Sequence, residues 1–332
     1  MTKNYLLPDP AHWSGRQDST TDYDSFRWHQ WIECLDLSRA QAPFEGRLGI
    51  AILGFRSDKG IAKNLGRTGA GAGPAAIRQE LANLPCAFDQ QVKLFDAGDI
   101  TSEPTALAEA QDALAEAITK LLSLGLFPVV LGGGHDIAYG HFKGVFDHFQ
   151  GLEPDAKLGI INFDAHFDNR PYHDGPSSGT MFRQIEDLLA GAGRANQYFV
   201  LGIQESANTA SLFKHAQAAG TEYILAKDIA HGDIFSLFER LDQFLYGLDG
   251  VYVTIDADVF SSSIAPGVSS PQPLGLQPEI VIALLKYILA SNKVVSLDVA
   301  EVSPRFDHDS STATLAASLI FSAITKLAGL SR

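Results

Sequence analysis

From about residue 46 onward the chain alternates short β-branched or apolar runs with longer segments of helical period. That alternation restricts it to an α/β protein built from strand–helix units around a mainly parallel sheet. Eight runs read as strands: Leu48–Phe55, Val92–Phe95, Phe127–Leu131, Leu158–Phe163, Tyr198–Gly202, Glu222–Leu225, Val251–Ile255 and Lys293–Leu297. Phe-Pro-Val-Val-Leu and Leu-Gly-Ile-Ile-Asn-Phe are apolar almost throughout, which suggests a sheet covered on both faces. Between strands, the segment from Ala106 to Leu122 puts Leu107, Leu114, Ile118 and Leu121 on one helical face and Glu109, Asp112, Glu116 and Lys120 on the other. Eight such strands can close into a barrel or stay open between two helical layers, and periodicity alone leaves both available. In either case a ligand belongs at the carboxyl ends of the strands.

The first ~45 residues differ: they hold all three tryptophans, Trp13, Trp28 and Trp31, with scattered charge and no clear strand. They read as an extension packed on a single domain spanning 46–332, with a subunit contact as one possible role. With 25 Lys and Arg against 39 Asp and Glu, the formal net charge is −14. No basic cluster offers the positive patch that a nucleic-acid backbone requires. The start, Met1 to Pro8, has no apolar signal core, and the longest apolar stretches break short of the ~18 residues of a spanning helix. The expectation is a cytoplasmic protein with no membrane partner. Cys34 and Cys86 form no short-spaced pair, which argues against thiolate metal sites and a disulfide framework.

Polar clusters follow four of the strands. Gly132-Gly133-Gly134-His135-Asp136 follows Leu131, Asp164-Ala165-His166-Phe167-Asp168 follows Phe163, Asp256-Ala257-Asp258 follows Ile255, and Asp298-Val299-Ala300-Glu301 follows Leu297. If these segments stay extended, side-chain alternation aims Asp164, His166 and Asp168 to one side and pairs Asp256 with Asp258. With His135 this makes six potential ligands: His135, Asp164, His166, Asp168, Asp256 and Asp258. Four aspartates brought together repel one another unless cations neutralise them, and two divalent ions balance their four charges. Six residues serve two sites only if some carboxylates bridge. Carboxylates with two imidazoles and no thiolate suit Mn²⁺ better than structural zinc, although Zn²⁺, Fe²⁺ or Co²⁺ could bind in vitro. Two ions roughly 3.5–4 Å apart would hold a bridging water and make it a hydroxide nucleophile near neutral pH. Aspartates and histidines also decorate strand ends as helix caps, and what favours metal is that every element falls at the same end of a strand. Gly132–Gly134 lacks the features of a P-loop or dinucleotide fingerprint and reads as a tight turn admitting His135.

Gly-Gly-Gly-His135, Asp164-Ala-His166-Phe-Asp168 and Asp256-Ala-Asp258 resemble the three signature motifs of the ureohydrolase family, which includes arginase, agmatinase and formimidoylglutamase, and the resemblance runs over residues 46–332. It implies an open three-layer α/β/α sandwich with an eight-stranded, mainly parallel sheet, homo-oligomeric assembly and two Mn²⁺ per subunit. His135, Asp164, Asp168 and Asp256 would hold one ion and Asp164, His166, Asp256 and Asp258 the other, with Asp164 and Asp256 bridging. Arginases and agmatinases usually continue the third motif as Asp-x-Asp-x-x-Asp-Pro. Here Ala265-Pro-Gly-Val-Ser269, Ser177-Ser178-Gly179-Thr180, Gly66-Arg67-Thr-Gly-Ala70 and Trp13-Ser-Gly-Arg16 are similar to the formimidoylglutamase branch. The implied reaction is hydrolysis of N-formimidoyl-L-glutamate to L-glutamate and formamide in histidine degradation, by attack of the metal-bridging hydroxide on the amidine carbon. The position of the arginase proton-shuttle histidine is Phe182 here, leaving Asp168 as the candidate proton carrier and His173 behind it.

Glu301 matches the family position that receives the amidinium. The two carboxylates of the substrate call for arginines, whose planar fork pairs bidentately with carboxylate. Arg170, two residues past a metal ligand, is the first candidate, then Arg183, with Arg67 and Arg305 behind. Agmatinase or another guanidino-acid hydrolase is the alternative activity, and a non-catalytic metal-binding protein a more remote one. A dinuclear metallophosphoesterase would place asparagine in a Gly-Asn-His segment, where this chain has Gly134.

Overall fold

The computed structural model describes residues 3–103 and 105–330, the side chain of Leu330 excepted. Met1, Thr2, Ser331 and Arg332, at the ends of the extension and the domain read from sequence, lie outside the described residues, as does Pro104. Ten strands form one sheet: β1 (Tyr5–Leu6), β2 (Glu33–Cys34), β3 (Leu48–Arg56), β4 (Val92–Thr101), β5 (Leu126–Leu131), β6 (Leu158–Phe163), β7 (Tyr198–Ile203), β8 (Glu222–Leu225), β9 (Gly250–Asp256) and β10 (Val294–Ala300). Their order is β1-β4-β3-β5-β10-β9-β6-β7-β8, with β2 also on β4, and every pairing is parallel except β1 with β4. The sheet is open.

All eight expected strands are present. Lys293, expected to open the last one, stays outside it, because its ammonium is drawn to the carbonyl oxygens of Leu245 and Leu248 at 2.9 and 2.7 Å. Along the central strands successive residues enter opposite cores: Ile50, Ile52, Val129, Leu131, Ile161 and Phe163 pack on one face, Ala51, Leu53, Val130 and Ile160 on the other. The first face is covered by helices including Gly73–Ala82, Pro278–Ala290 and Ser311–Leu330, the second by Leu107–Ser123, Ile137–Leu152 and Met181–Gly191. Each fully buried Leu, Ile or Phe contributes roughly 1.5–3 kcal/mol, so burial on both faces is what fixes the register of the parallel strands. The helix Ser311–Gly329 is long and apolar enough to cross a membrane by length and composition; here it lies against Gly73–Ala82 and Pro278–Ala290.

Two strands absent from the sequence reading lie within the first 45 residues, and at two residues each they are too short to show alternation. β1 runs antiparallel on β4 (Tyr5 opposite Ile100), and β2 runs parallel to it (Glu33 opposite Phe95). The tryptophans fasten the segment between them, each indole N–H donating to the body: Trp13 to Asp96 Oδ2 (2.7 Å), Trp28 to the Pro85 carbonyl (3.1 Å) and Trp31 to the Val92 carbonyl (2.8 Å). Beneath Trp13, the buried Arg78 donates to Asp99 Oδ1 (2.7 Å), Asp96 Oδ1 (2.9 Å) and the Gly98 carbonyl (2.8 Å).

The four central strands β5, β10, β9 and β6 are neighbours. They are also the four strands that the polar clusters follow.

Candidate metal centre and its cleft

His135 enters the centre from the turn after β5. Gly133 permits that turn by close approach: its N–H donates to the Phe55 carbonyl at 2.7 Å, its carbonyl accepts from the Glu301 N–H at 2.8 Å, and a Cβ would lie 2.2 Å from the Ser57 carbonyl oxygen. The glycines are needed for the nearness of the β3 and β10 ends, since none of Gly132–Gly134 has a positive φ.

After β6 and β9 the chain leaves the extended conformation, so side-chain alternation is not what gathers the carboxylates. Asp164 Oδ1 accepts the backbone N–H of His166 at 2.7 Å, and Asp256 Oδ1 accepts that of Asp258 at 2.7 Å, a turn closed by the side chain in both places. Ala257–Val259 is a 3₁₀ turn, and Asp168 has φ +47°. Asp168 therefore folds back toward His135 where a pleat would have carried it away.

The resulting cluster is dense. His135 Nδ1 lies 3.1 Å from Asp164 Oδ2, 3.1 Å from Asp256 Oδ2 and 3.3 Å from Asp168 Oδ2. His166 Nδ1 lies 3.1 Å from Asp258 Oδ2 and 3.4 Å from Asp164 Oδ1. Two sets of potential ligand atoms each fall within 4.8 Å: His135, Asp164, Asp168 and Asp256, and Asp164, His166 and Asp258. Asp164 belongs to both. Asp256, expected to bridge, lies in the first set only.

The electrostatics follow from this crowding. Burial opposes the imidazolium of His135, but the carboxylates of Asp164, Asp168 and Asp256 outweigh it and raise the pKa well above the usual range; Asp258 and Asp164 do the same for His166. Asp168 is raised by burial and by Asp164, Asp258 by burial and by Asp256, and Glu301 by burial and by Asp256. Burial also works against charge on Asp164, yet His135 and His166 hold its carboxyl below the usual range. The polypeptide by itself thus balances its carboxylates with protons, which divalent cations would displace.

A second layer aims these groups. His135 Nε2 meets Thr254 Oγ1 at 3.0 Å, and the Thr254 hydroxyl donates to Asp298 Oδ1 at 2.5 Å. Asp298 Oδ2 accepts from His141 Nδ1 at 2.6 Å and from the Tyr252 hydroxyl. Asp298 lies inside β10 and is fully buried, so the fourth cluster divides: Asp298 supports from behind, and only Glu301 reaches the cleft. The Asn162 amide donates to Asp164 Oδ2 (3.1 Å) and to the Tyr198 hydroxyl (2.9 Å). Phe182 stacks on Tyr198 at 4.1 Å and stands edge-on to His135 at 5.6 Å, so it braces a ligand from below.

A cleft of about 520 Å³ opens over the centre, lined by His166, Asp168, Asp256, Asp258, Glu301, Arg170, Ser178, Ser269, Ser270 and the segment Lys63–Gly66. Glu301 has φ +64°, and its Oε1 accepts the His135 N–H at 2.9 Å. Arg170 Nη1 lies 3.8 Å from Asp168 Oδ1. Arg183 is not brought here: it pairs with His215 and Glu186 and borders a separate hollow with Tyr172 and His173. It sits at the third position of the helix Met181–Gly191, whose turn aims it along the helix. Arg67 donates to the carbonyls of Val268 (2.6 Å) and Ser269 (3.2 Å) and lies over the Phe306 ring, and Arg305 is exposed nearby. Sequence reasoning missed Thr254, a hydroxyl inside an apolar strand, and Lys63, which no motif marked.

The arginase family profile matches residues 48–325. The formimidoylglutamase of Clostridium tetani (strain Massachusetts / E88) is 52% identical over 327 residues, covering 98% of this chain and 97% of its own. Among solved structures, the formimidoylglutamase of Bacillus subtilis subsp. subtilis str. 168 superposes with a TM-score of 0.79 at 25% identity, covering 93% of this chain and 94% of that one. The formiminoglutamase of Trypanosoma cruzi with Mn²⁺ gives 0.74 at 27% identity, covering 85% and 94%.

Proposed function

The chain belongs to the arginase family, and from that membership we propose that it hydrolyses N-formimidoyl-L-glutamate to L-glutamate and formamide with two Mn²⁺ ions per subunit. The observation that carries this reading is the polarity of one cleft, with carboxylates on its floor and Arg170 on its wall. An amidinium is a compact cation and the glutamate tail a dianion, so such a substrate meets opposite charge at both ends; agmatine would set a second cation against Arg170.

The donors suit manganese: carboxylates and imidazoles, no thiolate, and a buried His135 Nδ1 with no hydrogen-bond partner among three carboxylates. His135, Asp164, Asp168 and Asp256 would hold one ion, and Asp164, His166, Asp256 and Asp258 the other. When bound, such a pair supplies Lewis acidity and brings the pKa of a water near neutrality. Around it, Glu301 receives the amidinium N–H groups and Arg170 pairs with a substrate carboxylate. Water adds to the formimidoyl carbon, and the bond from that carbon to the glutamate nitrogen breaks. Asp168, which lines the cleft beside the floor, passes the proton to the departing nitrogen, since the buried Phe182 carries none. Residues 46–332 are the catalytic unit in this reading, 1–45 its packed extension, and the setting a cytoplasmic homo-oligomer in histidine degradation.

A panel of formimidoylglutamate, agmatine, arginine and guanidino acids, scored separately for formamide, ammonia and urea, tests the assignment. Formamide from formimidoylglutamate is expected; efficient urea release from agmatine or arginine would overturn it.

A further inference from the structure

We propose that Lys63 is the second carboxylate receptor of the cleft and holds the distal, γ-carboxylate of the substrate, while Arg170 takes the α-carboxylate. This rests on the formimidoylglutamate reading and adds the residue that completes its charge balance. A dianionic tail needs two positive groups. Apart from His166 on the floor, the cationic side chains among the described lining residues are Lys63 and Arg170.

Both line this cleft. A Cβ on Gly179 would lie 2.7 Å from Arg170 Nη1 and 2.9 Å from Asn64 Oδ1, so the guanidinium and the neighbour of Lys63 meet over that glycine. Neither charge is closely matched by a carboxylate. The Lys63 ammonium donates to the Asp174 carbonyl, a neutral acceptor. The nearest carboxylate to Arg170 is Asp168, at 3.8 Å and on the floor. Arg67, the other cation close by, spends its guanidinium N–H groups on the carbonyls of Val268 and Ser269.

Depth assigns the two carboxylates. The α-carboxylate sits on the carbon bearing the reacting nitrogen, and the γ-carboxylate lies two methylenes further out. Arg170 reaches toward the floor beside Asp168, whereas Lys63 is exposed at the rim and tethered there by the Asp174 carbonyl.

Two truncated substrates separate the roles: N-formimidoyl-L-norvaline lacks only the γ-carboxylate, and N-formimidoyl-4-aminobutyrate lacks only the α-carboxylate. Lys63→Met should raise KM about fivefold for formimidoylglutamate, as for a rim-exposed charge pair, and similarly for the aminobutyrate. It should leave kcat and the norvaline analogue within about twofold. Lys63→Arg should recover most of the loss. Equal losses on all three substrates would make Lys63 a structural residue, and no loss on any would remove it from the cleft's recognition; either overturns the proposal. Failure of the unaltered enzyme on formimidoylglutamate would instead remove the reading beneath it.

Discussion

Two clusters of buried charge sit at different parts of the same sheet, and they are built on opposite terms. Around Arg78, the guanidinium is matched by Asp96 and Asp99, Trp13 and the Gly98 N–H complete the hydrogen bonding of Asp96, and the half-exposed Arg56 approaches Asp99 at 3.8 Å. At the carboxyl ends of β5, β6, β9 and β10, four aspartates and Glu301 converge with two imidazoles, and the Arg170 guanidinium comes no nearer than 3.8 Å to Asp168. The first cluster is closed, and what it fixes is architecture: the N-terminal extension against β4. The second is open, and its imbalance is the mark of a site that takes in charge from outside. Burial alone does not distinguish structure from chemistry; the matching of charge does.

The contrast breaks most visibly at the open cluster. Asp258→Asn removes a carboxylate already strained by burial and by Asp256, so Mn²⁺ content should fall and turnover drop on the order of a thousandfold. The metal-free protein should keep its stability or gain some, as urea unfolding will show. At the closed cluster Arg78→Met leaves two carboxylates buried without their cation and should cost about 3–5 kcal/mol of unfolding free energy, with Mn²⁺ per folded molecule unchanged. If Asp258→Asn destabilises the metal-free protein as much as Arg78→Met, the two clusters are not different in kind.

Thr254→Val sharpens the comparison by cutting the support between His135 and Asp298 while leaving every ligand in place. Mn²⁺ titration should show affinity weakened about 10–100-fold. The smallest effect is the pH dependence of stability. His135, His166, Asp168, Asp258 and Glu301 all have raised pKa values, so above about pH 4 the metal-free native state holds more protons than the unfolded chain. Its stability should therefore fall as pH rises; Asp164, held low, acts in the opposite sense but only in more acidic solution. Saturating Mn²⁺ should reverse the trend, because binding releases those protons. Thermal melts at several pH values check this, at roughly 1.5 °C for each kcal/mol in a chain of this length.

Much of this was legible from residues alone. The buried strands announce themselves as apolar runs, and the candidate metal ligands follow them within five positions. The reason first suggested for their convergence fails, however: an extended-strand pattern cannot foresee that Asp164 and Asp256 each close a turn with their own side chains. Asp298 shows the reverse limit. As a letter it resembles the other aspartates, but β10 runs three residues past the expected end and leaves it inside the sheet. Arg183 was judged by its distance along the chain from a motif, which carries no information about the direction a helix gives a side chain. Lys63 and Thr254 act through partners more than a hundred residues away, Asp174 and His135, so no local pattern could mark them.

The paired short strands at the start of the chain bear on how this protein keeps its own copies apart. Without them β4 would offer ten residues of outer strand with unsatisfied backbone groups, a template for another molecule. β1 and β2 cover it piecewise, at Asp99–Ile100 and Phe95–Asp96, and at two residues each they are too short to template anything in turn. The opposite margin ends on β8, four residues long. The sheet thus tapers at both borders, and trimming residues 1–34 would uncover a sticky seam two strands away from β5, harming solubility before chemistry.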